Sequence, residues 1–291
     1  MDRPTYPSFR AVLARRRAEG KAVRVVGAHD ALAGRLAESS GFDAVWASSL
    51  EISAARCLPD ASVLTMTEYL EAATHTQSAI GIPVIADVDT GYGGNLNVAH
   101  MVREYEAAGI SAVCMEDKLF PKMNSFAEGP QRLLDTDAFR AKIRVAKEAQ
   151  RGSDFLVVAR TEALIDGLGV AEALRRCHAY AEAGADAVLV HSKADDNREV
   201  LAFLESWNDR APVVIVPTTY PDWHIDDIVK AGVSAIIYAN QGLRATVSAL
   251  RETYRAILAA GSTAELEDRI APVRDIFELQ RLPEWQALEA V

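Results

Sequence analysis

Short β-branched runs alternate with longer amphipathic stretches along nearly the whole chain. The runs fall at roughly 24–28, 43–48, 83–89, 112–117, 155–161, 186–191, 213–218 and 234–239, and each closes on polar residues. This pattern predicts eight strands. Between them lie helical patterns such as Met101 to Ala108, Val170 to Ala183 and Ile225 to Ala231, several ending at a glycine (Gly109, Gly184, Gly232) suited to closing a helix. The segment Glu182–Ala187 reads Glu-Ala-Gly-x-x-Ala and recurs in variant form at Ala107–Ala112, each time leading straight into a strand.

Strict alternation of strand and helix argues for a parallel sheet with crossover helices. Eight such units favour an α/β fold of the (β/α)8, TIM-barrel type over an open doubly wound sheet. The glycine spacing of a dinucleotide site is also missing from Gly91-Tyr92-Gly93-Gly94. No linker-like stretch interrupts the pattern, so residues 1–291 are expected to form one barrel domain, with 263–291 as a C-terminal helical tail. Ile270, Val273, Ile276, Phe277, Leu279 and Leu282 of that tail need a surface to cover, on their own barrel or a neighbour's.

Composition narrows the function. A net charge of −10 lacks the basic footprint that nucleic acid requires. No apolar run approaches the roughly 20 residues of a membrane span, and no signal-peptide core follows Arg15-Arg16-Arg17. Cys57, Cys114 and Cys177 are widely spaced, without zinc or disulfide spacing, and read as reduced thiols of a cytoplasmic protein.

In such a barrel the chemistry sits at the carboxyl ends of the strands. Asp87 and Asp89, two apart, share a face at the end of the third strand, and Glu116 ends the fourth. With Asp60 in the loop after the second strand, they place four carboxylates near one mouth. A single Asp there would be read as a cap; the set, without His or Cys, points to a hard cation such as Mg2+. Arg160 and His191 end the fifth and sixth strands as two cations facing the acidic group, an arrangement suited to a doubly charged anion. Ser48, Ser49 and Leu50 can add hydroxyl and backbone donors, and Trp46 lines the mouth. His29 and Asp30 are read as structural, and His75, His100, His178 and His224 as surface or packing residues.

Between strands four and five a polar loop carries Lys118, Lys122, Asn124 and Ser125, and no cysteine. Together with Val45–Leu50, Pro59-Asp60, Ile85–Gly93, Glu116-Asp117-Lys118, Leu119–Ser125, Ala159-Arg160 and His191, it resembles the phosphoenolpyruvate mutase branch of the isocitrate lyase superfamily. The resemblance covers nearly the whole chain. It implies a barrel whose final helix swaps onto a partner in a dimer of dimers, a homotetramer. It also implies Mg2+ held by Asp87, with Asp60, Asp89 and Glu116 acting largely through water. Trp46, Ser48, Ser49, Leu50 and Ser125 would bind substrate, the serines and Leu50 at its carboxylate end. Asn124, Arg160 and His191 would contact the phosphoryl group, with Lys122 and Asp60 completing the catalytic set.

Lyases of the superfamily carry a cysteine in this lid, where this chain reads Lys122-Met123-Asn124-Ser125. The implied activity is therefore a Mg2+-dependent mutase interconverting phosphoenolpyruvate and phosphonopyruvate, in phosphonate biosynthesis. Its nearest alternative is a phosphonopyruvate hydrolase, whose lid has Thr where Asn124 stands. Met123 replaces a usual Thr of the mutase lid, and Ser49 a frequent Gly.

Overall fold

The computed structural model describes residues 6–129 and 131–289, and the chain divides into two compact units, Met1–Asn240 and Gln241–Val291. In the first unit all eight expected strands are present: β1 (Val23–Ala28), β2 (Ala44–Ala47), β3 (Val84–Asp87), β4 (Ala112–Glu116), β5 (Leu156–Thr161), β6 (Ala187–Val190), β7 (Val213–Ile215) and β8 (Ala235–Tyr238). They run parallel in chain order and close into a barrel, β1 pairing with both β2 and β8. This is the (β/α)8 architecture. Several strands are shorter than their apolar runs because the polar residues at their ends leave the ladder to form the mouth. Asp89, beyond β3, has φ of 49°, a left-handed turn that no strand continues.

Helices connect the strands, and their ends follow local chemistry. Thr65 and Glu68 exchange hydrogen bonds in a capping box that starts the helix Met66–Ala79. The expected glycine stops are real: Gly109 and Gly184 have φ of 87° and 105°, where a side chain would be strained. Asp30 is structural as expected, its carboxylate capping the helix Ala31–Ser39 through Ala33 N at 2.8 Å.

Period-two alternation sorts each strand into an inner and an outer face. Val25, Trp46, Ile85, Cys114, Val158 and Leu189 fill the barrel interior, where Phe9, Val12 and Leu13 of the first helix join them. The outward residues Val45, Val84, Val113 and Val157 pack under the helices. Continuing the inner positions upward leads to Ser48, Asp87, Glu116, Arg160 and His191, so the same alternation that fills the core aims these side chains into one mouth.

The second unit holds the helices Gln241–Ala260, Val273–Leu279 and Leu282–Glu289. No helix among the described residues is long and apolar enough to cross a membrane.

Candidate active site

A cavity of about 50 Å3 opens at the carboxyl ends of the strands. Trp46, Ser48, Ser49, Leu50, Asp60, Asp87, Lys122, Asn124, Ser125, Arg160 and His191 all line it. Asp89 and Glu116 lie beside it, 2 % exposed each. Every candidate site residue from the sequence is thus brought to one place. Phe126, Thr218 and Asn240 complete the lining, and nothing in their local sequence marked them.

The loop after β4 forms the roof. Its neck is an antiparallel bridge between Lys118 and Leu133, with Leu119 N bonded to Arg132 O at 3.0 Å. The described residues between them, 119–129, 131 and 132, therefore make a closed excursion, the form that surface loops with functional roles often take. Lys122 reaches from this loop into the carboxylates, its Nζ 2.7 Å from Asp60 Oδ1 and 3.1 Å from Asp89 Oδ1. Burial alone would depress that ammonium, but Asp89, Glu116, Asp60 and Asp87 hold its pKa well above the ordinary lysine value. Beside it, Asn124 donates from Nδ2 to Asp60 Oδ2 at 2.6 Å.

The carboxylates are not equivalent. Asp87 Oδ2 accepts from Ser49 Oγ at 2.9 Å, so the Ser49 hydroxyl faces the acidic side of the cavity. Ser48 caps the helix Ser49–Ala55, its Oγ accepting from Glu51 N at 3.3 Å. Asp89 Oδ2 and Glu116 Oε1 are buried without a hydrogen-bond partner among the described residues. Burial raises Asp89 to about 6, Lys122 opposing and Asp87 adding to the rise. Burial likewise raises Glu116 to about 7 against the pull of Arg160 and Lys118.

Buried carboxylate oxygens without donors are what a divalent cation and its waters would satisfy. Among the described residues no three His, Cys, Asp or Glu side chains converge tightly enough to hold an ion alone. That donor set fits Mg2+, which keeps several waters and takes only one or two carboxylates directly. Of Asp87, Asp89 and Glu116, Asp87 is the one that lines the cavity.

On the opposite wall Arg160 donates from Nε to Glu162 Oε1 at 2.6 Å and lies 3.3 Å from Glu116 Oε2. His191 corrects the expectation of a second cation. Burial, then the neighbouring Arg160, lowers its pKa to about 3, so the imidazole is neutral at pH 7. It meets Phe126 edge-to-face with ring centroids 5.5 Å apart.

Glu162 escaped the sequence reading, and Lys118, noted there as part of the polar loop, was given no role. Glu162 is fully buried, and Lys118 Nζ lies 3.0 Å from its Oε2. The signal for Glu162 was present, because it stands two residues beyond Arg160, as Asp89 stands two beyond Asp87. Ser125 is bound up with both: Lys118 Nζ donates to its Oγ at 2.8 Å, Arg160 Nη2 donates to it at 3.0 Å, and it donates to Glu162 Oε2.

Comparison with known proteins agrees with this geometry. Residues 13–258 match the family model described as phosphoenolpyruvate phosphomutase. The phosphonopyruvate hydrolase of Variovorax sp. (strain Pal2) is 44% identical over 273 residues, covering 93% of this chain and 94% of that protein. The solved phosphoenolpyruvate phosphomutase from Streptomyces platensis subsp. rosaceus superposes with a TM-score of 0.93 at 52% identity, over 96% of this chain and 98% of the other. A phosphonopyruvate hydrolase solved with oxalate and Mg2+ gives a TM-score of 0.90 at 42% identity, covering 96% of this chain and 97% of that one.

Proposed function

This chain belongs to the phosphoenolpyruvate phosphomutase family, and from that premise we propose that it is a Mg2+-dependent mutase interconverting phosphoenolpyruvate and phosphonopyruvate. The observation that carries the reading is Asn124. It sits in a thiol-free lid with its amide nitrogen 2.6 Å from Asp60, lining the same cavity as Arg160 and His191.

Asp87 would hold Mg2+, with Asp60, Asp89 and Glu116 around it, and the ion would supply stabilisation of negative charge on the substrate oxygens. The chain's own groups do the rest. Arg160 offers a fixed positive charge, and neutral His191 offers hydrogen bonding without a second charge to repel it. Phosphoryl transfer passes through a loose, metaphosphate-like state that needs positioning and charge stabilisation rather than a protein nucleophile. Asn124 steadies that species while the enolate turns, and the roof over the cavity keeps water out. The Ser48–Leu50 segment faces the carboxylate end of the substrate. The solved relative that carries Mg2+ with oxalate supports a substrate of this class, since oxalate is a planar dianion of nearly the shape of pyruvate enolate.

A dimer of dimers belongs to the same proposal. The helix Gln241–Ala260 buries none of its residues, and Val247, Leu250, Tyr254 and Leu258 fall along one face. Light scattering that found a monomer would remove this part.

Hydrolysis of phosphonopyruvate to pyruvate and phosphate is the second reading, because the Variovorax hydrolase is 44% identical over nearly the whole chain. The two are separated by 31P NMR of the protein with phosphonopyruvate and Mg2+. A growing phosphoenolpyruvate signal is expected. Inorganic phosphate with matching pyruvate would make the enzyme a hydrolase.

A further inference from the structure

The roof over the cavity is fastened on two sides. On one side Lys122 and Asn124 lean on Asp60 and Asp89, groups that belong to the proposed metal site. On the other, Ser125 is gripped by Lys118, Arg160 and Glu162. Lys118 Nζ also donates to the Met123 carbonyl at 3.0 Å, so one ammonium ties down two points of the loop.

A serine hydroxyl has one proton to donate and two lone pairs to accept with. The Ser125 proton goes to Glu162, and its lone pairs take Lys118 and Arg160. Its bonding capacity is full, so it has no donor left for a substrate oxygen. Lys118 and Glu162, 2 % and 0 % exposed, do not line the cavity. Burial raises a carboxyl, yet Arg160 and Lys118 together hold Glu162 well below the ordinary carboxylate range. The Glu162 carboxylate that receives Ser125 through one oxygen receives Arg160 Nε through the other. Seating the loop and orienting the guanidinium are therefore one event.

We propose that Lys118, Ser125 and Glu162 form a latch that sets reaction specificity, deciding whether the phosphoryl group is recaptured by the enolate or lost to water. The inference rests on the mutase reading. In phosphonopyruvate the C–P bond breaks with its electron pair left on carbon, giving the pyruvate enolate and a transferable PO3 group. Capture of that group by the enolate oxygen gives phosphoenolpyruvate with no net change in atoms. Capture by a water oxygen gives phosphate, one water proton going to the enolate carbon to make pyruvate. The second route requires water to enter while the fragments are apart, and a seated latch denies it. Lys118 and Glu162 are positioning residues, acting through Ser125 and Arg160.

The test compares wild type with Ser125→Ala, Glu162→Gln and Lys118→Arg on phosphonopyruvate and Mg2+, reading both products by 31P NMR. Ser125→Ala and Glu162→Gln are expected to lower isomerisation about tenfold, the worth of one buried charge-assisted hydrogen bond. The phosphate share of product should rise while KM stays within about threefold. Lys118→Arg, which keeps the charge, should retain more isomerisation than either. Limited proteolysis within residues 119–132 should be faster in Ser125→Ala and Glu162→Gln. An unchanged product ratio, with both routes slowed alike, would overturn the latch. If wild type makes only phosphate, the mutase reading fails on its own. Proteolysis then decides the latch: an unchanged cleavage rate in Ser125→Ala, the variant least able to disturb the fold, removes it.

Discussion

Glu116 and Asp117 are neighbours in the chain, both acidic and both buried, and they do opposite work. Asp117 points outward from the barrel, where its carboxylate accepts from Thr161 Oγ1, Glu162 N, Arg176 Nη1 and Tyr180 OH at 2.7–3.1 Å. Glu116 points inward, and its Oε1 has no hydrogen-bond partner among the described residues. The alternation of a strand is the whole cause. One carboxylate is saturated by protein and ties β4 to β5 and the helix Gly169–Glu182; the other is kept short of donors beside the cavity.

The largest effect should follow from breaking the saturated side. Burial pushes the Asp117 carboxyl up against the pull of Tyr180, the Glu162 N–H and Arg176, so its ionised form depends on those partners. Asp117→Ala would leave the buried donors Thr161 Oγ1, Glu162 N and Tyr180 OH without their shared acceptor, and Arg176 with Glu172, at 2.8 Å, as its remaining carboxylate partner. A loss of about 3–5 kcal/mol in unfolding free energy is expected, measured by urea denaturation. A loss below about 1 kcal/mol, the scale of an exposed pair, would make Asp117 no more structural than Glu116.

Glu116→Gln tests the other side. Arg160 and Lys118 lie 3.3 Å and 3.9 Å from Glu116 but 2.6 Å and 3.0 Å from Glu162. Each cation therefore keeps its closer partner, and burial already favours the neutral form of Glu116, so stability should change by about 1 kcal/mol or less, the net worth of a single hydrogen bond. Turnover should fall about 10²–10³-fold, the scale of losing one preorganised electrostatic group. Full turnover in Glu116→Gln would sink the contrast, because the carboxylate short of donors would then have no chemical role. Asn124→Thr should cost less, about 10-fold in isomerisation with little change in KM. Equal losses of isomerisation and binding would reassign Asn124 to simple substrate contact.

The same contrast shows how far sequence reaches. Eight strands, their order and the inward set Asp87, Asp89, Glu116, Arg160 and His191 were legible because alternation and strand ends are local signals. Lys122 entered the catalytic set only through the family resemblance, and its place among the carboxylates was not legible. Lys122 lies far from Asp60 and Asp89 in the chain, and only the fold of the roof brings its ammonium to them. Nothing local says that Tyr180 and Arg176, about sixty residues away, will satisfy Asp117 and so set it apart from Glu116. Glu162 was readable in principle, through its two-residue offset from Arg160, but its partners Lys118 and Ser125 arrive only through the loop.

The smallest expected effect concerns charge on the inner wall, where Arg160 and His191 stand together and differ in state. Burial and Arg160 hold His191 to about 3, against about 6.5 for a solvated histidine. Between those values the unfolded chain binds a proton that the folded protein refuses. Stability from this residue is therefore complete above about pH 6.5 and falls as pH drops toward 3, by at most about 1.4 kcal/mol per unit. In His191→Asn that contribution is absent while the other titrating groups are retained. The gap in unfolding free energy between wild type and variant should narrow as the solution is acidified from pH 7 to pH 5. A gap that stays constant would mean that His191 takes up its proton as readily in the folded protein as in the unfolded chain, and a gap that widens would mean that the folded protein holds it protonated. The inner wall would then carry two positive charges, and the division of labour between a fixed cation and a neutral hydrogen-bonding ring would be lost.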